Sequence, residues 1–98
     1  MQIKIDTTGT KGRFYVGDLS APTAEMAFRL PPGGERMIID HTEVSEIHKG
    51  EGVGKQLVAE AVAYARAHGL KIYPLCVFAR SVFLRNKDYQ DVLVPPGS

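Results

Sequence analysis

Alternating hydrophobic and polar positions in the first half of the chain predict β-strands. The clearest alternation spans residues 24–30, where one face holds Ala24, Met26, Phe28 and Leu30. Shorter segments rich in strand-forming residues predict further strands at 3–5, 13–16 and 37–44. Turns that contain Gly and Pro separate these segments, so consecutive strands should pair antiparallel.

From Val53 onward the hydrophobic period changes to that of an α-helix. One face of this helix is apolar and comprises Val53, Leu57, Val58, Ala61, Val62 and Ala65. His68 near the carbonyl end and Gly69 just beyond it predict where the helix ends.

After this helix, the sequence predicts a strand at 71–75, a second helix at 76–86 and a final strand at 88–94. A strand, helix and strand in this order form a right-handed crossover, so strands 37–44 and 71–75 should lie parallel. The apolar face of the second helix is less regular, and its candidates are Val77 or Phe78, Val82 and Leu84–Arg85.

The strand at 37–44 has polar residues on both faces at its far end, which predicts that it leaves the core and enters a site. Simple alternation places Ile39, His41 and Glu43 on one face. The opposite face then holds Ile38, Asp40, Thr42 and Val44.

Length and composition favour one globular domain. The chain has 98 residues, and we expect a single domain at 1–94 with a polar tail at 95–98. A formal charge of +1 gives no global attraction to nucleic acid or to an anionic membrane, so neither partner is expected. One cysteine excludes a disulfide framework, and no three residues have metal-ligand spacing. Short apolar runs and the lack of a signal-peptide core predict a soluble cytoplasmic protein.

The segment Lys-Gly-Glu-Gly-Val-Gly-Lys, from Lys49 to Lys55, leads from the strand at 37–44 into the first helix. No Ser, Thr, Asp or Asn caps the free amides at the helix entrance, and lysines flank the glycines. Free amides and the helix dipole both favour an anion at such a place. The P-loop and the dinucleotide fingerprint both fit poorly, because Gln56 replaces the required hydroxyl and Lys55 the required glycine. The alternative interpretation is a flexible turn without a ligand.

This turn resembles the pyrophosphate-binding turn of the GCN5-related N-acetyltransferase (GNAT) superfamily, whose pattern is Gln/Arg-x-x-Gly-x-Gly/Ala. Lys49 stands at the Gln or Arg position and keeps the charge without the planar bidentate geometry. Gly52 and Gly54 fill the small positions, where side chains would block the amides from the phosphates. Glu51 departs from an anion-binding pattern, because a carboxylate there repels pyrophosphate unless it points to solvent. The resemblance extends over residues 14–92 to very small single-domain members.

The resemblance implies an α+β (α/β) fold, a minimal GNAT-like mixed and mainly antiparallel sheet with one βαβ crossover and a second C-terminal helix. It also implies acetyl-CoA as the cofactor, with the pantetheine arm between two splayed parallel strands, 37–44 and 71–75. The residues expected to bind coenzyme A are Thr42, Val44, Lys49, Gly50, Gly52, Val53, Gly54, Lys55 and Phe78.

Cys76 and His41 are the candidate catalytic residues. Cys76 follows the parallel strand and opens a helix, whose N-terminus favours a thiolate, so it is a candidate acceptor of the acetyl group or a positioning group. The alternative for Cys76 is a small buried apolar residue. His41 shares a strand with the expected pantetheine contacts and suits a general base, the alternative being a histidine satisfied inside the sheet. His48, just before the glycine turn, is a further candidate for phosphate contact.

The resemblance implies transfer of acetyl from acetyl-CoA to an amine. Short turns between the first strands leave no room for the helices that wall the acceptor site of larger GNAT proteins. The acceptor side should therefore be open, which favours a large acceptor such as a protein amine. The alternative function is a non-catalytic acyl-CoA-binding or protein-interaction module that kept the fold and lost turnover.

Overall fold

The computed structural model describes residues 2–94. One sheet has five strands, whose order in the sheet is their order in the chain: β1 (Lys4–Thr8), β2 (Lys11–Asp18), β3 (Ala21–Arg29), β4 (Arg36–Val44) and β5 (Lys71–Pro74). Strands β1 to β4 pair antiparallel with their neighbours, and β5 pairs parallel with β4. The predicted mixed, mainly antiparallel sheet is confirmed. The predicted tail at 95–98 lies outside the described residues.

The helix α1 (Val53–His68) forms the predicted crossover between β4 and β5. All the apolar residues that the sequence predicts for its inner face are buried against the sheet. The helix ends at Gly69, whose φ of 66° is a left-handed conformation that glycine adopts without strain. This predicted helix and its end are therefore confirmed.

The helix α2 (Val77–Arg85) follows β5 and joins the same core as α1. Its buried residues are Ala79, Val82 and Phe83. Val82 is buried as predicted, whereas Leu84 is 76% exposed. Of the alternatives Val77 and Phe78, the first is 78% exposed and the second 39%, so the predicted apolar face was wrong at Val77 and Leu84. The helix turns Ala79 and Phe83 toward the core, because residues four apart lie on one side of a helix.

The final strand predicted at 88–94 is replaced by a 3-10 helix, Lys87–Val92. Only Leu93 makes a strand-like contact, a single parallel bridge to Ile72 of β5. Arg66 of α1 holds this segment by donating to both carboxylate oxygens of Asp91 and to the carbonyl oxygen of Asp88. These hydrogen bonds stabilise a compact turn in place of the strand.

One extra residue in β4 interrupts its pairing with β3. Ala27 pairs with His41 and Phe28 pairs with Ile39, so Asp40 has no counterpart on β3. The two strands therefore form a β-bulge at Asp40. The Asp40 carboxylate accepts hydrogen bonds from the Arg29 guanidinium at 2.7 to 3.1 Å.

The bulge reverses the alternation along the rest of β4. Thr42 and Val44 pair with buried residues of β3 and therefore face the helices. His41 and Glu43 face the other side of the sheet. The predicted faces were wrong here, because an alternation counted from Ile39 misses the inserted residue.

Helices cover only one face of the sheet in residues 2–94. The buried residues form a cluster between that face and the two helices. The other face is open and carries charged and polar side chains, among them Arg13, Glu25, Arg29, Asp40 and His41. No helix of the described chain is long and apolar enough to cross a membrane.

Candidate functional site

A cavity of about 410 Å³ opens where the end of β4, the start of α1 and the start of α2 meet. Its lining comprises Thr42, Val44, His48, Lys49, Gly50, Gly52, Val53, Gly54, Lys55 and Phe78. Every residue predicted to bind coenzyme A is in this set. The fold thus brings together on one concave surface the separate segments of the chain that the sequence analysis named.

The start of α1 presents backbone amides to this cavity. Gly52 caps the helix with a φ of 71° and has no side chain to bond to the first turn. The first bond within the helix runs from the amide of Gln56 to the carbonyl oxygen of Gly52, at 3.1 Å. The amides of Val53, Gly54 and Lys55 therefore have no partner inside the helix. Together with the helix dipole, they favour an anion.

The position of Gly54 requires a small residue because of packing, in addition to the access of a ligand to the amides. A Cβ atom added at this position would lie 2.6 Å from Cζ of Phe78, well inside van der Waals contact. The Phe78 ring of α2 therefore packs directly against the backbone of α1. This close approach shapes one wall of the cavity, and the sequence pattern alone did not show it.

The strands β4 and β5 diverge beside the cavity. They pair only from Arg36 to Ile39 on β4, and the amides of Leu75 and Cys76 both donate to the Ile39 carbonyl oxygen, at 3.0 and 3.2 Å. Beyond that point residues 41–44 pair with β3 alone, and Asp40 is the bulge residue. The edge of β4 that faces away from β3 is therefore free to pair with an extended ligand. This is the divergence predicted for the two strands.

Cys76 lies at the N-cap of α2, half-buried, with Sγ 3.5 Å from the Thr42 hydroxyl oxygen. Burial alone would raise the pKa of its thiol, but the hydrogen bond with Thr42 and the amides of Ala79 and Phe78 outweigh it, so the pKa lies below its ordinary value. The sulfur does not cap the helix with a hydrogen bond of its own. We therefore attribute the lowered pKa to the hydrogen bond with Thr42 and to the backbone amides at the start of α2, whose dipoles favour a thiolate.

His41 lies on the other side of β4 from Cys76. It faces the open side of the sheet, its side chain is 54% exposed, and Nε2 is 3.8 Å from Oε1 of Glu25. The structure therefore does not bring the two candidate catalytic residues together on one face. The cause is the bulge at Asp40.

A 3-10 helix, Glu46–His48, precedes the glycine turn and is capped by the Ser45 hydroxyl. Nδ1 of His48 is 2.7 Å from a carboxylate oxygen of Glu51, and Nε2 is 2.8 Å from the hydroxyl oxygen of Thr23 on β3. Glu51 is thus paired with a histidine next to the turn. Sequence reasoning considered His48 only as a phosphate contact, and no pattern linked it to Thr23.

A second groove, of about 440 Å³, lies on the open face around Arg13, Glu25, Arg29 and Asp40. These four side chains form two ion pairs, Arg13 with Glu25 and Arg29 with Asp40, each at 2.7 Å. The groove is slightly larger than the first cavity but lacks free amides from a helix start. The first cavity is therefore the better candidate for a phosphate-bearing ligand.

Residues 13–92 match a family model described as GCN5-related N-acetyl-transferase. The chain therefore belongs to the GCN5-related N-acetyltransferase family. The fold is confirmed as the GNAT fold by its similarity to solved structures.

The chain is 37% identical to a GCN5-like putative N-acetyltransferase from Staphylococcus aureus, solved by NMR, with a TM-score of 0.72. The match covers 93% of this chain and 87% of that chain. It is also similar to a ribosomal-protein-alanine N-acetyltransferase from Brucella melitensis biovar Abortus 2308, at 18% identity and a TM-score of 0.63. That match covers 78% of this chain and 60% of that chain, and it shows a shared fold. No curated protein sequence matches the chain significantly.

Proposed function

We propose that the protein binds acetyl-CoA in the cavity at the start of α1 and transfers the acetyl group to an amine. The observation that carries this proposal is that free helix amides, two lysines and an unpaired strand edge converge on one cavity. Membership of the GNAT family supports the class of reaction.

The residues at the cavity fit the chemistry of coenzyme A. A pyrophosphate needs several N–H donors and positive charge, which the amides at the start of α1 and the ammonium groups of Lys49 and Lys55 supply. The pantetheine arm is extended and contains amides, so it suits the free edge at 40–44. Phe78 supplies an apolar wall. When bound, acetyl-CoA supplies an activated thioester.

Cys76 and His41 act from opposite sides of β4 in this proposal. In one route the thiolate of Cys76 attacks the thioester, takes the acetyl group and releases coenzyme A as its thiolate, and the amine then displaces Cys76; in the other, Cys76 orients the acceptor and the amine displaces coenzyme A directly. In both, the amine arrives from the open face and meets the acetyl group in the gap beyond Ile39, where β4 and β5 no longer pair, and His41 accepts the proton that the amine loses. The carboxylate of Glu25 lies 3.8 Å from Nε2 of this ring.

The open face also supports a large acceptor. No helix covers it in residues 2–94, so nothing in that part of the chain encloses a small amine there. A lysine side chain or a chain terminus of another protein reaches such a surface without steric obstruction. We therefore propose a protein amine as the acceptor.

A matched pair of glycine substitutions tests the location of the coenzyme. Gly52 and Gly34 have φ values of 71° and 73°, and a Cβ added at either meets open space. The strain of Gly→Ala is therefore similar at both, about 1 kcal/mol or somewhat more. Gly52→Ala should weaken coenzyme A binding roughly tenfold by isothermal titration calorimetry, and Gly34→Ala should leave it unchanged. An equal loss in both variants would mean that general strain, and not the cavity, determines affinity.

Turnover is tested separately from binding. Release of free coenzyme A thiol with a panel of peptide amines should require both acetyl-CoA and the amine. Intact-mass analysis after incubation with acetyl-CoA distinguishes the two routes, because a single acetyl adduct lost in Cys76→Ala indicates a thioester on Cys76. Binding of coenzyme A without thiol release with any amine would favour the non-catalytic module.

A further inference from the structure

We propose that His48 holds the Glu51 carboxylate away from the amides at the start of α1 and so keeps the anion site free for phosphate. This proposal rests on the proposed coenzyme A site. It makes His48 a positioning residue, which acts on the ligand through Glu51.

The His48 ring is fixed from both sides. Its side chain is only 13% exposed, and the ring lines the cavity at the glycine turn. Nε2 lies 2.8 Å from the hydroxyl of Thr23, which belongs to β3, so the sheet determines the ring position. Nδ1 lies 2.7 Å from the Glu51 carboxylate. A carboxylate only accepts hydrogen bonds, so Nδ1 carries the proton and donates it.

Glu51 would otherwise compete for the same amides. It directly precedes Gly52, the cap residue of α1, and the helix has no side-chain cap of its own. Carboxylates bind helix N-termini readily, both as hydrogen-bond acceptors and through the helix dipole. The first turn of α1 contains no acidic residue, so Glu51 is the carboxylate next to this site along the chain.

The pairing with His48 removes this competition. It directs the Glu51 carboxylate to the imidazole, where its negative charge is partly offset by a charge-assisted hydrogen bond. The half-exposed carboxylate then leaves the amides at the helix start to an external anion. This arrangement explains how an acidic residue is tolerated inside a phosphate-binding turn.

A double-mutant cycle on coenzyme A affinity tests the proposal. His48→Leu, which has no donor, should weaken binding about tenfold, a change typical of coupling between contacting residues. Glu51→Gln should bind at least as tightly as wild type. The double variant should regain the affinity of Glu51→Gln, because without the carboxylate there is nothing for His48 to restrain. His48→Asn, which keeps a donor near the position of Nδ1, should bind more tightly than His48→Leu.

Two further measurements separate charge from structure. Cooperative thermal unfolding of each variant checks that it is folded. Thr23→Val, which removes the partner of Nε2 together with a longer hydrogen bond to the Val16 carbonyl oxygen at 3.3 Å, provides a second cycle with Glu51→Gln. The loss in His48→Leu should shrink at high salt, since exposed charges are screened.

The outcomes are distinguishable. Binding by wild type with a double variant as weak as His48→Leu would overturn this proposal alone, because His48 would then act by loop geometry or by direct contact with phosphate. No binding by wild type would overturn the proposed function and this proposal together.

Discussion

On the helix side of β4 the chain presents backbone groups and small or hydroxyl-bearing side chains, whereas on the open side it presents paired charges. Thr42 and Val44 line the cavity on the first side. His41 and Glu25 lie on the second, where Arg13 also pairs with Glu25. A single inserted residue, Asp40, decides which side chain faces which way. In the proposed function, this strand therefore serves a coenzyme on one face and an acceptor on the other.

The two faces also differ in what positions their groups. The cavity depends on main-chain features: a helix start without a cap, the free edge at 40–44 and the contact of Phe78 with Gly54. Such groups recognise phosphate and amide without a net charge of their own. The open face depends on side chains held by ion pairs, which are weak at a surface and exchange partners easily. In the proposed function, main-chain groups therefore bind the coenzyme, whereas side chains in surface ion pairs meet the acceptor.

The substitution with the largest expected effect tests whether the two faces of β4 have separate functions. His41→Ala should lower kcat by ~10²-fold or more, the usual contribution of a general base. The dissociation constant of this variant for coenzyme A should equal that of the wild type, because the His41 ring faces away from the cavity. Steady-state kinetics and calorimetry measure the two quantities. His68→Ala, on an exposed histidine at the end of α1, is the matched control and should alter neither. Weaker coenzyme A binding in His41→Ala alone would contradict the separation.

A smaller effect concerns Cys76 on the helix side. Its lowered pKa means that alkylation by iodoacetamide should reach half its maximal rate at a lower pH than for an unstructured cysteine. Thr42→Val should raise the midpoint, because burial would then be opposed by fewer hydrogen bonds. The same substitution at Thr8, on the open face, should not move it. An unchanged midpoint in Thr42→Val would show that Thr42 does not stabilise the thiolate.

The smallest effect concerns the open face. Glu25→Gln removes the ion pair with Arg13, whose side chain is 34% exposed, so the free energy of unfolding should fall by only ~0.2–1 kcal/mol. Urea denaturation at low and high salt measures this change, which should decrease as salt is added. A loss of about 3–5 kcal/mol would indicate a fully buried pair and hence a covered face.

The sequence predicted the features that depend on local pattern. The apolar face of α1 and its glycine end are visible in the spacing of Val, Leu, Ala and Gly, whereas the residues expected around the cavity came from the resemblance of the glycine turn to the GNAT family. It failed where a contact distant in the chain decides the outcome. Arg66 holds 87–92 as a 3-10 helix in place of a strand, and pairing with β3 decides the bulge at Asp40. Polar residues on both faces of β4 indicated a site but could not indicate an inserted residue.

The central claim is that coenzyme A occupies the cavity on the helix side of β4. Titration of the labelled protein with coenzyme A, followed through backbone amide chemical shifts in NMR spectra, tests it most directly. We predict large shifts at Gly50, Gly52 and Val53–Lys55, smaller ones at Thr42 and Val44, and little change at Arg13, Glu25 and Arg29 on the open face. Shifts concentrated on the open face, or no shifts at the start of α1 at saturating coenzyme A, would contradict the account.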